Sequence, residues 1–216
     1  MGPDVETEKR LAAEAAAALV EDGMLVGLGT GSTVAYLLPA LADRHLSLRC
    51  VATSPRTESA ARELGISVEP FTFDRLDLAI DGADQINPEG WLVKGGGAAH
   101  TREKLVAASA QRFVVIADST KAVVELHAPV PLELLAFGIE STLERLGDVR
   151  IRGVPPSPDG GVIADFFGPF ADPAKLAADL GSTPGVVDHG LFPPDLVSTI
   201  ILGRGDSTET IDISRR

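Results

Sequence analysis

The sequence has few of the features that mark secreted, membrane-bound or nucleic-acid-binding proteins. Its 216 residues include one cysteine, Cys50, which excludes a disulfide within the chain and predicts a small buried side chain at that position. No apolar run is long enough to cross a bilayer. The chain has 19 lysine and arginine residues and 31 acidic residues. The resulting net charge of −12 argues against binding nucleic acid or an anionic membrane. We therefore expect a cytoplasmic protein with a small-molecule substrate.

The first 120 residues or so alternate between apolar runs and segments with helical spacing. This alternation predicts βαβ units and a mostly parallel, Rossmann-like sheet whose strands are buried on both faces. The predicted strands are 24–29, 48–52, 66–68, 76–80, 91–94 and 113–117. The predicted helices are 6–20, 32–43, 54–65 and 101–110.

The pattern changes near Ala128-Pro-Val-Pro131. The following segments predict a helix at 132–146, strands at 149–154 and 162–167, a helix at 172–181 and a strand at 185–191. This order indicates a small α+β domain. Two last strands, 197–202 and 208–213, are expected to return to the first domain.

A glycine- and hydroxyl-rich loop, Gly29-Thr30-Gly31-Ser32-Thr33, lies between a predicted strand and a predicted helix. Glycines allow close approach to a ligand, and the start of a helix directs N–H groups and positive potential at an anion. The loop lacks the Gly-Lys-Ser/Thr of a Walker loop and the third glycine of the dinucleotide fingerprint. It predicts a phosphate or carboxylate site, or alternatively a tight turn with Ser32 or Thr33 as a helix cap.

Two carboxylates, Asp81 and Asp84, follow another predicted strand. At the carboxyl edge of a parallel sheet, such a pair can exchange protons with sugar hydroxyls. The alternatives are solvated acids at a turn, or a Mg²⁺ site, although a cage for a hard cation usually has more carboxylates. The four histidines lack the spacing of zinc ligands, so we expect no metal.

A lysine and a glutamate flank a triple-glycine loop. Lys94 precedes Gly95-Gly96-Gly97 and can stabilise an oxyanion, while Glu103 in the next helix can act as a general base. An ordinary charge in the first turn of a helix would also explain Glu103. Lys121, after a further strand, is either a surface lysine or a second substrate contact.

Together these motifs resemble ribose-5-phosphate isomerases of the A type. The resemblance includes Gly29-Thr-Gly-Ser-Thr33, Asp81-Gly-Ala-Asp84, Lys94-Gly-Gly-Gly-Ala-Ala99, Thr101-Arg-Glu-Lys104, Ala117-Asp-Ser-Thr-Lys121, Pro184-Gly-Val-Val and Gly190-Leu-Phe. That family interconverts ribose 5-phosphate and ribulose 5-phosphate in the non-oxidative pentose phosphate pathway, without metal or cofactor. It has an α/β domain and a smaller lid, which implies a catalytic domain at 1–128 plus 199–216 and a ferredoxin-like α+β lid at 129–198.

The resemblance also implies roles for individual residues. Glu103 matches the base that moves a proton between C1 and C2 through an enediolate, and Lys94 matches the cation beside the oxyanion. Asp81 and Asp84 match the carboxylates that handle the sugar oxygens and ring opening. The implied substrate contacts are Thr30, Gly31, Ser32, Thr33, Gly82, Ala83, Gly95, Gly96, Gly97 and Lys121.

Some positions depart from the family pattern. Gln85 stands where glutamate is frequent, His100 stands where an apolar residue is usual, and the segment 53–57 is an unusual version of a hydroxyl-rich loop. These departures concern sugar orientation and rate.

Two other functions fit parts of the sequence. A sugar-phosphate sensor of a transcription regulator would lack the complete set of two aspartates, lysine and glutamate, and would carry a DNA-binding helix pair. A deaminase-like sugar-phosphate enzyme would need an additional base or metal. The size of the chain and its apolar C-terminal strands favour a homo-oligomer, a dimer or possibly a tetramer.

Overall fold

The computed structural model describes residues 4–213. In chain order the helices are α1 (Val5–Ala17), α2 (Val34–Ala42), α3 (Pro55–Glu63), α4 (His100–Ser109), α5 (Ile139–Leu146) and α6 (Pro173–Ser182). The strands are β1 (Leu25–Leu28), β2 (Arg49–Ala52), β3 (Leu76–Gly82), β4 (Gln85–Ile86), β5 (Leu92–Val93), β6 (Ala110–Asp118), β7 (Val130–Leu134), β8 (Val149–Ile151), β9 (Val162–Phe166), β10 (Val186–His189), β11 (Leu191–Phe192), β12 (Thr199–Arg204) and β13 (Ser207–Asp212). Short 3-10 turns lie at Ser119–Lys121 and Pro194–Leu196.

A six-stranded sheet forms the centre of the molecule. Its strands lie in the order β13-β12-β6-β3-β1-β2, and every neighbouring pair is parallel except β12 and β13. The prediction of a mostly parallel, Rossmann-like sheet is therefore confirmed. Because β1, β3 and β6 run in the same direction, their carboxyl ends meet at one edge of the sheet.

Helices cover both faces of this sheet. On one face α1 and α2 pack against the strands, where Leu37 and Ile80 share a buried cluster with Cys50. On the other face Val106 of α4 packs beside Phe113. The strands therefore need apolar side chains on both faces of the sheet, which is why they are continuous apolar runs in the sequence. Cys50 is fully buried, as predicted.

A separate four-stranded antiparallel sheet is formed within residues 130–189. Its order is β10-β7-β9-β8, with α5 after β7 and α6 after β9. This βαββαβ order is the ferredoxin-like arrangement. The smaller α+β unit is thus confirmed, while the domain boundaries at 128/129 and 198/199 stay a prediction.

The predicted helix at 132–146 is wrong in its first part. Residues Val130–Leu134 form β7, which lies between β10 and β9 and is buried along its whole length. The helix α5 begins only at Ile139, after Gly138 with a φ of +69°. Leucine and glutamate favour helices intrinsically, but burial on both faces of a sheet overrides that preference.

Smaller differences occur at strand ends. The predicted strand at 185–191 is divided between β10 and β11, and β11 belongs to a three-stranded sheet in the order β11-β5-β4. The predicted strand at 66–68 is reduced to one parallel bridge between Val68 and Cys50. The predicted strand at 149–154 ends at Ile151.

Candidate active site

The predicted site residues converge on one pocket at the carboxyl edge of the central sheet. β1 leads into the loop with Thr30, β3 ends at Gly82, and β6 leads into the turn with Lys121. The first turn of α4 contributes Glu103. The pocket is lined by Thr30, Gly31, Ser32, Thr33, Gly82, Ala83, Asp84, Lys94, Gly95, Gly96, Gly97, Glu103 and Lys121. Among the predicted residues, Asp81 alone does not line the pocket and lies buried beside it.

Asp81 connects the glycine-rich loop to the lysine. Its Oδ1 accepts hydrogen bonds from the backbone N–H groups of Thr30, at 2.9 Å, and Gly82, at 2.7 Å. Its Oδ2 lies 2.9 Å from the Lys94 Nζ. A Cβ at Gly29 would come within 2.0 Å of the Asp81 carboxyl group, so only glycine fits there. Asp81 therefore fixes two parts of the site at once.

Lys94 is surrounded by acceptors. Its side chain is 2 % exposed, and its Nζ lies 2.9 Å from Asp81 Oδ2, 3.1 Å from Glu103 Oε2 and 2.5 Å from the Gly82 carbonyl, to which it donates. The ammonium also lies 5.3 Å from the centre of the Phe192 ring. These contacts hold one cation between two carboxylates at the base of the pocket.

The three buried charges shift one another's pKa values. Burial alone would lower the pKa of Lys94, but the charges of Asp81 and Glu103 outweigh burial and raise it, so the amine stays cationic. Burial raises the pKa of Glu103 to about 8, with repulsion from Asp81 adding to the effect and Lys94 opposing it. Burial also raises the pKa of Asp81, against the attraction of Lys94. Glu103 therefore exchanges its proton near neutral pH, which suits a general base.

Another part of the pocket lining is suited to an anion. The N-terminus of α2 lies there, and Thr33 at the N-cap position makes no side-chain capping bond. The alternative prediction of Ser32 or Thr33 as a helix cap is thus met in position by Thr33, but without a capping bond from its side chain. Lys121 lines the same pocket, and within residues 4–213 it forms no ion pair. Free N–H groups, a helix dipole and a lysine are the features that hold phosphate.

The unusual segment 53–57 supports this anion loop from outside the pocket. Thr53 Oγ1 lies 2.8 Å from Thr30 Oγ1, and Thr57 Oγ1 donates to the Gly29 carbonyl at 2.8 Å. Ser54 caps α3 by accepting from the Thr57 N–H at 3.2 Å. The segment 53–57, which departs from the family pattern, therefore contacts the Thr30 side chain and the Gly29 carbonyl of the anion loop.

The family model of ribose 5-phosphate isomerase A (phosphoriboisomerase A) matches residues 49–207. The chain belongs to the ribose 5-phosphate isomerase A family. The chain is 47% identical over 214 residues to the ribose-5-phosphate isomerase A of Caulobacter sp. strain K31, covering 92% of this chain and 94% of that protein.

Solved structures of ribose 5-phosphate isomerases have the same fold. The enzyme from Neisseria gonorrhoeae superposes with a TM-score of 0.91 at 30% identity, covering 99% of this chain and 100% of the other. A D-ribose-5-phosphate isomerase in complex with phospho-erythronic acid superposes with a TM-score of 0.90 at 32% identity, covering 97% of this chain and 99% of the other.

Two departures from the ribose 5-phosphate isomerase A pattern, Gln85 and His100, are buried. The Gln85 amide donates to the His127 carbonyl at 2.9 Å and accepts from the His127 N–H at 2.9 Å, which an ionised glutamate cannot do. His100 is fully buried beside Gly95, whose φ is +103° and whose Cβ would come within 2.7 Å of the imidazole. Burial lowers the pKa of His100 to about 3, so the ring is neutral.

The magnesium alternative does not fit the two aspartates. Asp81 directs its oxygens at Lys94 and at backbone N–H groups, and Asp84 Oδ2 accepts from the Gly96 N–H at 2.7 Å. In the part of the chain from 4 to 213, no group of three or more histidine, cysteine, aspartate and glutamate side chains is arranged to hold a metal ion.

Sequence reasoning missed two residues that support the site. Glu8 of α1 is buried and accepts from the N–H groups of Ser119, at 2.8 Å, and Gly205, at 2.7 Å, which fixes the turn before Lys121. Arg152, after β8, donates to the triple-glycine loop. Neither has a local signal, because their partners are 56 to 197 residues away in the chain.

Proposed function

We propose that this chain interconverts D-ribose 5-phosphate and D-ribulose 5-phosphate through an enediolate, by acid/base catalysis without a metal. The observation that carries the proposal is the buried Asp81–Lys94–Glu103 cluster at the base of a pocket with an open helix N-terminus. Membership of the ribose 5-phosphate isomerase A family supports the same reaction. The proposed reaction belongs to the non-oxidative pentose phosphate pathway.

The phosphate group binds at the α2 side of the pocket. There the N–H groups of residues 31–33 and the Lys121 ammonium supply donors and positive charge. The phosphate anchors one end of the sugar, so C1 and C2 of the open chain lie near Glu103.

Glu103 performs the proton transfer. As a carboxylate it takes the C2 proton of the open-chain aldose, the electron pair of that C–H bond forms the C1–C2 double bond of the enediolate, and the electron pair of the C1 carbonyl moves onto O1. The O2 hydroxyl proton then passes to O1, and the Glu103 acid returns its proton to C1 as C2–O2 becomes the carbonyl, which gives the ketose and regenerates the carboxylate. Lys94, 3.1 Å from Glu103, stabilises the negative oxygen that develops between these steps.

The two aspartates have different tasks. Asp84 is exposed in the pocket and exchanges protons with the sugar oxygens during ring opening. Asp81 is buried and acts through its partners, because it keeps Lys94 charged and holds the Thr30 backbone. This division refines the sequence-based expectation that both carboxylates handle sugar oxygens.

A direct ketose assay with ribose 5-phosphate, run with and without EDTA, tests the proposal. Ketose formation that EDTA leaves unchanged is the expected result. Absence of activity would favour a sugar-phosphate sensor, although the complete set of two aspartates, lysine and glutamate in or beside the pocket favours an enzyme. Activity abolished by EDTA would contradict the metal-free mechanism and favour the deaminase-like alternative, which needs a further base or a metal.

We further propose a cytoplasmic homo-oligomer, a dimer or a tetramer. Within residues 4–213 no helix is both long enough and apolar enough to span a bilayer. Several large apolar side chains lie on the surface, with Phe137 93% and Leu105 58% exposed, and an assembly of copies would cover such groups. Light scattering coupled to size exclusion measures the oligomeric state.

A further inference from the structure

An arginine that directly follows β8 holds the triple-glycine loop of the site. Arg152 Nη1 donates to the carbonyls of Gly95, at 2.8 Å, and Gly96, at 3.3 Å. Its Nε and Nη2 bind the Asp165 carboxylate at 2.7 and 2.6 Å. A bidentate ion pair therefore fixes the guanidinium on one side, and its Nη1 donates to the loop on the other.

A single peptide group of the loop is hydrogen-bonded to both Arg152 and Asp84. The carbonyl of the Gly95–Gly96 peptide accepts from Arg152, and the N–H of the same peptide donates to Asp84 Oδ2 at 2.7 Å. In a trans peptide the C=O and N–H groups point in opposite directions. One rigid plane therefore lies between the guanidinium and the carboxylate and sets the position of both Asp84 and the loop.

The next peptide is oriented in the same way. The Gly96 carbonyl points at Arg152, so the Gly97 N–H is directed away from Arg152. Gly97 itself lines the pocket.

The loop needs these hydrogen bonds from Arg152 to fix its conformation, because glycine has little conformational preference of its own. Three consecutive glycines lose more backbone entropy on ordering than any other residues would. Gly95 has a φ of +103°, which other residues rarely adopt, and a Cβ there would also come within 2.7 Å of the neighbouring His100. Arg152 supplies fixed donors to carbonyls whose orientation the glycines would otherwise leave free.

We propose that Arg152 is a positioning residue for the isomerisation: it orients Asp84 and the Gly97 N–H toward the sugar through the Gly95 and Gly96 carbonyls. The proposal rests on the proposed function and extends it to a residue outside the pocket. Because Arg152 directly follows β8 and pairs with Asp165 of β9, the four-stranded sheet contributes directly to the geometry of the catalytic loop.

The test compares R152M with a matched control, R150M. Arg150 lies two positions earlier in β8, is exposed, and places its guanidinium over the Phe167 ring at 4.4 Å. We expect R152M to lower kcat by about 10- to 100-fold while KM for ribose 5-phosphate changes less than about threefold, because misplaced groups cost mainly transition-state stabilisation. R152K should recover part of kcat, and R150M should match the wild type.

A second measurement does not depend on activity. Amide hydrogen exchange at Gly96 should be faster in R152M than in R150M, because the bond to Asp84 loses its support. Unchanged kcat in R152M, an equal loss in R150M, or equal exchange in the two variants would each overturn the proposal. If R152M does not fold, D165N, which frees the guanidinium from its ion pair, replaces it in both measurements.

The two proposals can fail separately. A wild-type chain that does not isomerise ribose 5-phosphate would overturn the proposed function. In that case Gly96 exchange in R152M and R150M still decides whether Arg152 orders the loop.

Discussion

At the scale of single residues, the chemistry of the pocket depends on three charges that share one buried space. One ammonium cannot neutralise two carboxylates, and burial penalises the uncompensated negative charge. Lys94 therefore stays protonated while the pKa of Glu103 rises to about 8. A carboxylate with such a pKa can take a proton from carbon and return it at neutral pH.

Gln85 gives a prediction at the same scale. Q85E replaces the Nε2 that donates to the His127 carbonyl with an oxygen that faces this carbonyl. We expect a loss of about 1–3 kcal/mol in the free energy of unfolding, measured by urea denaturation at pH 7. N87D is the control, because Asn87 uses only its Oδ1, as an acceptor from the Trp91 N–H, and aspartate keeps that bond. Equal stability of Q85E and the wild type would contradict the assignment.

The residues that could be predicted from the sequence are those with local motifs. Asp81, Lys94 and Glu103 lie within a short stretch of charges beside glycines, and their strand-end positions indicate a common edge. Glu8 and Arg152 could not be predicted, because only the folded chain brings them to Ser119 and Gly95. Their roles depend on tertiary contacts without a periodic or compositional signal.

At the scale of elements, strand ends and helix starts determine the site. The loop after β1 passes so close to β3 that the Asp81 carboxyl group occupies the space of a Gly29 side chain. The same carboxylate accepts a hydrogen bond from the Thr30 N–H, with 2.9 Å between Asp81 Oδ1 and the nitrogen. The end of β1 and the end of β3 are thus joined by one side chain.

G29A tests this close approach. Its methyl group would come within 2.0 Å of the Asp81 carboxyl carbon, so either the loop or the Asp81–Lys94 pair must move. We expect a loss of about 2–4 kcal/mol in thermal or urea unfolding, in the upper range of single substitutions. G153A is the control, because within residues 4–213 no atom beyond its two chain neighbours lies within 4 Å of the position of its Cβ. Equal stability of the two variants would contradict the packing described for β1 and β3.

Element prediction failed where burial outweighed local preference. The leucines and glutamate of β7 have high helix propensity, and the sequence predicts a helix across them. The position of β7 between two strands became visible only from its partners β9 and β10. The parallel sheet was predictable because its continuous apolar runs require burial on two faces.

At the scale of the whole molecule, the helix with the proposed base is bound to the four-stranded sheet on both sides of Glu103. Thr101 donates to Glu133, and Arg102 forms a bidentate pair with Asp159 at 2.7 Å. Lys104 binds Asp188 at 2.5 Å. Together with Arg152, these contacts make the position of α4 dependent on both sheets.

Buried histidines beside this junction predict how stability depends on pH. Burial lowers the pKa of His100 and of His189 to about 3, and the nearby Lys104 adds to the effect, while the ordinary value is 6.5. Between these values the unfolded chain binds more protons, so the free energy of unfolding falls as pH drops from 6.5 toward 3. Each histidine contributes a slope of up to about 1.4 kcal/mol per pH unit.

The variant H100L isolates one of these contributions. In urea unfolding between pH 7 and pH 4, the free energy of unfolding of H100L should fall less steeply with decreasing pH than that of the wild type. The difference in slope should be up to about 1.4 kcal/mol per pH unit. Replacement of the exposed His45 by asparagine, which tolerates its positive φ, is the control for the loss of a histidine. Parallel curves for H100L and the wild type would show that His100 is not held neutral.

The turnover of E103Q tests the central claim most directly. Glutamine keeps the shape of Glu103 but cannot take a proton from carbon, so kcat for ribose 5-phosphate should fall by at least about 100-fold. Binding of ribose 5-phosphate should change little, and E89Q, at an exposed turn, should keep wild-type turnover. A kcat of E103Q close to that of the wild type would contradict the assignment of Glu103 as the base.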